Sequence, residues 1–89
     1  MIVIKSKGND LYLIGHSTSQ ICASVSTITC MLYNLLAEFD EEFEYYDDGV
    51  TMHFEINETE TTKKISKIAL DCLHQLSEQF PNDVTFETK

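Results

Sequence analysis

Gly15-His16-Ser17-Thr18-Ser19-Gln20-Ile21-Cys22-Ala23-Ser24-Val25-Ser26 carries the chain out of an apolar, alternating segment and into one with helical periodicity. Ser17, Thr18 and Ser19 are all side chains that cap helices, and Ser17 with Gln20 three positions on has the form of a capping box. Beyond them Ile21, Val25, Ile28, Leu32, Leu35 and Phe39 recur at spacings of three and four, which predicts an amphipathic helix from about Ser19 to Glu38. The stretch is therefore a turn from strand to helix. Ser24, Ser26, Thr27 and Thr29 weaken the helix's intrinsic preference, so its apolar stripe has to pack on a sheet to be stable.

The rest of the chain supplies that sheet. Ile2 and Ile4 fall on one face of a first strand, Lys7-Gly8-Asn9-Asp10 is a compact polar turn, and Leu11 to Gly15 is apolar again, so residues 1–16 read as a hairpin. After the first helix, Glu42 to Tyr46, then Asp47-Asp48-Gly49, then Val50 to Asn57 read as strand, turn and strand. Val50, Met52, Phe54 and Ile56 alternate with Thr51, His53, Glu55 and Asn57, which turns His53 away from the core. A second helix starts at Thr59 and stops at Phe80-Pro81, with Ile65, Ile68, Ala69, Cys72, Leu73, Leu76 and Phe80 facing inward and His74 on the surface. Asp83 to Thr88 is a last strand with Val84 and Phe86 inward. The order ββαββαβ predicts an α+β two-layer sandwich, an antiparallel or mixed sheet with two helices on one face, in one domain spanning residues 1–89.

Composition narrows the function. With 15 acidic and 6 basic residues the net charge is −9, which argues against nucleic acid, whose binding needs a positive surface. Glu38, Asp40, Glu41, Glu42, Glu44, Asp47 and Asp48 concentrate the negative charge. They are a solvated face or a field that steers a basic polypeptide. No unbroken apolar run of membrane-spanning kind and no signal peptide is expected, which implies a soluble cytoplasmic protein with no membrane partner. Cys22, Cys30 and Cys72 are odd in number and widely spaced, so neither a disulfide framework nor a metal site is expected. Cys30 and Cys72 lie within helical patterns as packing residues.

Cys22 differs from them. It falls at the start of the helix, where unpaired N–H groups and the positive end of the helix dipole favour a thiolate. His16 is six residues away, and a segment that short spans at most about 20 Å and folds back easily to hydrogen-bonding distance. A base beside a thiol, with backbone donors for an oxyanion, would suffice for acyl transfer without a cofactor. Spacing alone equally allows Cys22 as a small core residue and His16 as a surface group.

Gly15-His16 followed by Ile21-Cys22-Ala23-Ser24-Val25-Ser26 resembles the Gly-His-Ala … Asp-Ile-Val-Cys-Ala-Ala-Val-Ser signature of the ribosomal-processing cysteine proteases, the Prp family. Gln79-Phe80-Pro81-Asn82-Asp83-Val84-Thr85-Phe86 has that family's closing pattern, so the likeness covers nearly the whole chain. It implies a cysteine endopeptidase with Cys22 as nucleophile and His16 as base, and with Gly15, Ser19 and Ser26 at the substrate. It also implies a homodimer. The implied substrate is a basic protein, the N-terminal extension of a large-subunit ribosomal protein; a phage relative trimming a structural protein would look alike. The chain departs from the family in a shorter loop, with five residues between His16 and Cys22, and in Ser17 and Ser19 where the family has Ala and Asp. Those departures support a second reading, an acidic peptide-binding module that has lost efficient catalysis. A third makes the chain an acidic interaction domain whose Cys22 only packs.

Overall fold

The computed structural model describes residues 1–88; Lys89, the last residue of the expected domain, lies outside them. The chain forms β1 (Ile2–Lys7), β2 (Asp10–Gly15), α1 (Ser19–Glu38), β3 (Phe43–Asp47), β4 (Thr51–Ile56), α2 (Glu60–Gln79) and β5 (Val84–Thr88). This is the expected ββαββαβ order. The five strands lie in the order β3-β4-β2-β1-β5, antiparallel throughout except where β1 and β5 run parallel. The sheet is thus mixed, because β5 follows a helix crossover rather than a hairpin.

One face of the sheet is dry. Ile2 and Ile4, Leu11 and Leu13, Phe54 and Ile56, and Val84 are buried against Ile21, Val25, Leu32 and Leu36 of α1 and Ile65, Ala69, Leu73 and Leu76 of α2. The other face carries Tyr12 stacked on His53 at 4.2 Å, with the His53 Nε2 2.8 Å from the Asp10 carboxylate. His53 is turned from the core as its strand alternation requires.

The helix stripes differ in detail from their sequence reading. In α1 the buried series is Ile21, Val25, Thr29, Leu32 and Leu36, with Ile28 and Leu35 as partly buried flanks. Phe39, expected inside, is the C-cap and is 56 % exposed. Thr29 can take an interior position because its hydroxyl donates to the Ser26 carbonyl at 3.1 Å, which leaves no orphan polar group. In α2, Ile68 is exposed and Thr62 is buried. Cys30 and Cys72 are exposed, not packed. Each is one residue away from a buried neighbour, Thr29 or Leu73, and one residue turns a helix by about 100°. Val50 is also exposed, since β4 begins at Thr51 and Val50 belongs to the turn before it.

At 20 residues and uncharged from Ser19 to Ala37, α1 is long and apolar enough to cross a membrane by composition, contrary to the sequence expectation. Part of that hydropathy forms the buried stripe on the sheet; the rest lies on the exposed face, with Met31 and Tyr33.

Candidate functional site

The turn between β2 and α1 is capped by Thr18, whose hydroxyl accepts the Ile21 N–H at 3.3 Å. The capping box of Ser17 and Gln20 does not form. Such a pair closes instead on α2, where Thr59 and Thr62 each bond the other's backbone N–H. With Thr18 as cap, Cys22 is the fourth residue of the helix, and its N–H already donates to the Thr18 carbonyl at 2.9 Å. The Cys22 amide is therefore no oxyanion donor.

Cys22 is half-buried, packed on the edge of the core. Its sulfur accepts from the Ser17 N–H at 3.5 Å, and its thiol donates to the Ser17 carbonyl at 3.6 Å. Ser17 in turn donates its hydroxyl to the Asp83 carboxylate at 2.9 Å. His16 is exposed at the exit of β2, and its carbonyl accepts from the Met1 nitrogen at 2.6 Å. No hydrogen bond joins the His16 imidazole to the Cys22 thiol among the described residues. Both residues nevertheless line one cleft of about 230 Å³.

The cleft has three walls. Ile2, Leu13 and Gly15 come from the sheet, Cys22, Val25 and Ser26 from α1, and Asp47, Gly49, Val50 and Met52 from the β3–β4 hairpin. The third wall was not expected from the sequence, although Asp47-Asp48-Gly49 was legible as a turn. That turn is built by carboxylates: the Thr51 and Val50 N–H groups bond Asp48 at 2.7 and 2.9 Å and hold its carboxyl below the usual aspartate range. Asp47 accepts the Gly49 N–H at 2.9 Å and the Tyr45 hydroxyl at 3.3 Å. Partial burial and then the Asp47 charge raise the Tyr45 phenol above its ordinary value. A larger hollow of about 930 Å³ beside Glu41, Glu42, Glu44 and Glu55 holds no cysteine or histidine.

Of the residues expected at the substrate, Gly15 and Ser26 line the cleft and Ser19 does not. Ser19 is the first helical residue and exposed. Gly15 has a conformational reason to be glycine, with φ +99° and no room for a Cβ, which would strike the Met1 carbonyl oxygen. Ser26 differs from its neighbours. Ser24 and Thr27 bond back to the carbonyls of Gln20 and Ala23 at 3.0 and 2.9 Å, whereas the Ser26 hydroxyl has no such bond among the described residues.

No protein-family model matches the sequence. No curated protein matches it either. Solved structures do share its fold. The ribosomal processing protease Prp from S. aureus, crystallised with a covalently linked product peptide, superposes with a TM-score of 0.89 at 20 % identity, covering 100 % of both chains. The same enzyme with a substrate peptide gives 0.80 at 18 % identity over 99 % of this chain and 97 % of that one. SMU.848 from Streptococcus mutans gives 0.81 at 21 % over 98 % and 90 %. The chain thus has the fold of the Prp protease from end to end, in agreement with the resemblance read from residues 15–26 and 79–86.

Proposed function

We propose that the chain is a cysteine endopeptidase. The observation that carries the reading is the convergence of Cys22 and His16 on one small cleft at the start of α1, in a chain with the fold of a peptide-bound protease. Cys22 attacks the scissile carbonyl as its proton passes to the His16 imidazole, which then returns that proton to the leaving amine. Water releases the acyl group from sulfur. The free Ser26 hydroxyl, one turn beyond Cys22 on the same side, is the cleft's available side-chain donor for the developing oxyanion. Asp47 at the rim and the acidic residues around it favour a basic polypeptide. Following the Prp likeness, the substrate is the N-terminal extension of a large-subunit ribosomal protein, cut in the cytoplasm.

A second reading, a peptide-binding module without efficient catalysis, is favoured by the thiol's bond to Ser17 rather than to His16. Iodoacetamide alkylation separates the two. Cys30 and Cys72 are exposed and Cys22 is half-buried, so on access alone Cys22 would be the slowest. The protease reading expects Cys22 to label about tenfold faster than either at pH 6, and that advantage to vanish in His16→Ala. Equal or slower labelling of Cys22 selects the binding module.

The chain pairs with a second copy through the outer face of α1. On a molecule of net charge −9 that face is uncharged up to Ala37, and it exposes Met31 beside Ile68 of α2. Sedimentation at micromolar concentration is expected to give twice the chain mass; a monomer there rules the pairing out.

A further inference from the structure

Ser17 sits between the proposed base and the helix cap, and every polar group it owns is engaged at the site. Its N–H and carbonyl both meet the Cys22 sulfur, at 3.5 and 3.6 Å, and its hydroxyl donates to Asp83 at 2.9 Å. Asp83 comes from the far end of the chain, immediately before β5. Its own backbone is fixed on both sides, the carbonyl accepting the Ile2 N–H at 2.8 Å and the N–H donating to the Phe80 carbonyl at 3.0 Å. The carboxylate is thus held by β1 and by the end of α2, and it holds in turn the one residue whose peptide bears on the thiol.

Resting on the protease reading, we infer that Asp83 is a positioning residue: acting through Ser17, it keeps the Ser17 N–H aimed at the Cys22 sulfur and so sets the readiness of that sulfur to attack. In the neutral thiol the proton points at the Ser17 carbonyl. When the proton moves to His16, that bond is lost and the Ser17 N–H remains, now donating to a negatively charged sulfur, where a hydrogen bond is stronger. With Ser17 unheld, its N–H can turn away from the sulfur and leave the nearby carbonyl facing the thiolate. Asp83 never touches the reacting atoms. The direction of the Ser17 N–H matters because no other backbone N–H donates to the sulfur among the described residues.

The test is the rate of Cys22 alkylation from pH 5 to 9, with Cys30 and Cys72 as controls in the same sample, in Ser17→Ala, Asp83→Ala, their double variant, Asp83→Asn and Ser17→Thr. Either alanine variant is expected to slow Cys22 at pH 6 by about tenfold, the worth of one hydrogen bond, and to move its profile to higher pH. The double variant should be no slower than the singles, because both break one connection. Asp83→Asn and Ser17→Thr, which keep an acceptor and a hydroxyl, should restore most of the rate. A purely structural Asp83 would slow nothing selectively, and its asparagine variant would not rescue. If Asp83→Ala unfolds, the contrast between Ser17→Ala and Ser17→Thr decides. A wild-type Cys22 no faster than its controls sinks the protease reading, while the positioning role of Asp83 still requires a further tenfold fall in Ser17→Ala; a fast wild-type Cys22 that Ser17→Ala leaves unchanged sinks the positioning role alone.

Discussion

Replacing Cys22 by alanine is expected to abolish peptide cleavage, a loss on the order of 10⁴-fold or more, while the protein melts within a few degrees of wild type. Removing the proposed nucleophile takes away the thiol that would form the acyl intermediate, and no other described residue of the cleft is placed to replace it. Asp47 is committed to the Gly49 N–H and the Tyr45 hydroxyl, and Ser26 has no base beside it among its described partners. The stability cost is small because Cys22 is only half-buried at the core's edge. What alanine loses is one sulfur and its two long contacts to Ser17, worth about 1 kcal/mol. Cleavage of a peptide carrying a basic segment, followed by mass spectrometry, checks the first part, and thermal unfolding checks the second. Cleavage at the wild-type rate by this variant would falsify the nucleophile assignment. Loss of cleavage together with loss of folding would show instead that Cys22 packs the turn.

The architecture was legible because each element carries its own period. Alternation in residues 51–56 and the spacing of Ile21, Val25 and Leu32 leave little freedom of assignment, and the turns at Gly8-Asn9 and Asp48-Gly49 separate the strands. The mixed character of the sheet was less so, since nothing local says that β5 joins β1 rather than β3; that follows from where α2 delivers the chain. The errors have two causes. Ile68, Cys30 and Cys72 are one residue off a buried position, whereas Phe39 and Val50 lie just beyond the ends of their elements, and a period counts hydrophobicity without knowing where an element stops. The candidate site was half legible. His16 and Cys22 stand close in sequence on either side of a capped turn. Asp47 and Asp83 are brought to that turn only by tertiary structure, 25 and 61 positions beyond Cys22, where no local pattern marks them.

Gly15→Ala is expected to destabilise the fold by about 2–4 kcal/mol, through two effects that add. An alanine at φ +99° enters a region that side chains avoid, at about 1–3 kcal/mol. Its Cβ would also collide with the Met1 carbonyl oxygen, which is backbone and cannot rotate aside. Relief requires β1 to shift at Ile2, directly opposite Gly15, or Gly15 to withdraw its N–H from the Val50 carbonyl, 2.8 Å away. Either costs about another hydrogen bond in the ladder, about 1 kcal/mol each. For a domain of this size, whose whole stability is typically about 5–15 kcal/mol, that is a large share. Gly8→Ala isolates the first effect. Gly8 also has positive φ, +58°, but nothing lies within 4 Å of where its Cβ would be, so it should cost only about 1 kcal/mol. Urea denaturation of both variants gives the difference directly, and equal midpoints would show that Met1 yields freely. The collision also reaches the chemistry. The Met1 nitrogen bonds the His16 carbonyl, so a displaced β1 moves the proposed base against Cys22, and Gly15→Ala should cleave more slowly even at concentrations and temperatures where it is fully folded. In that sense glycine at position 15 bears on the proposed cleft through the strand behind it as well as through its place in the lining.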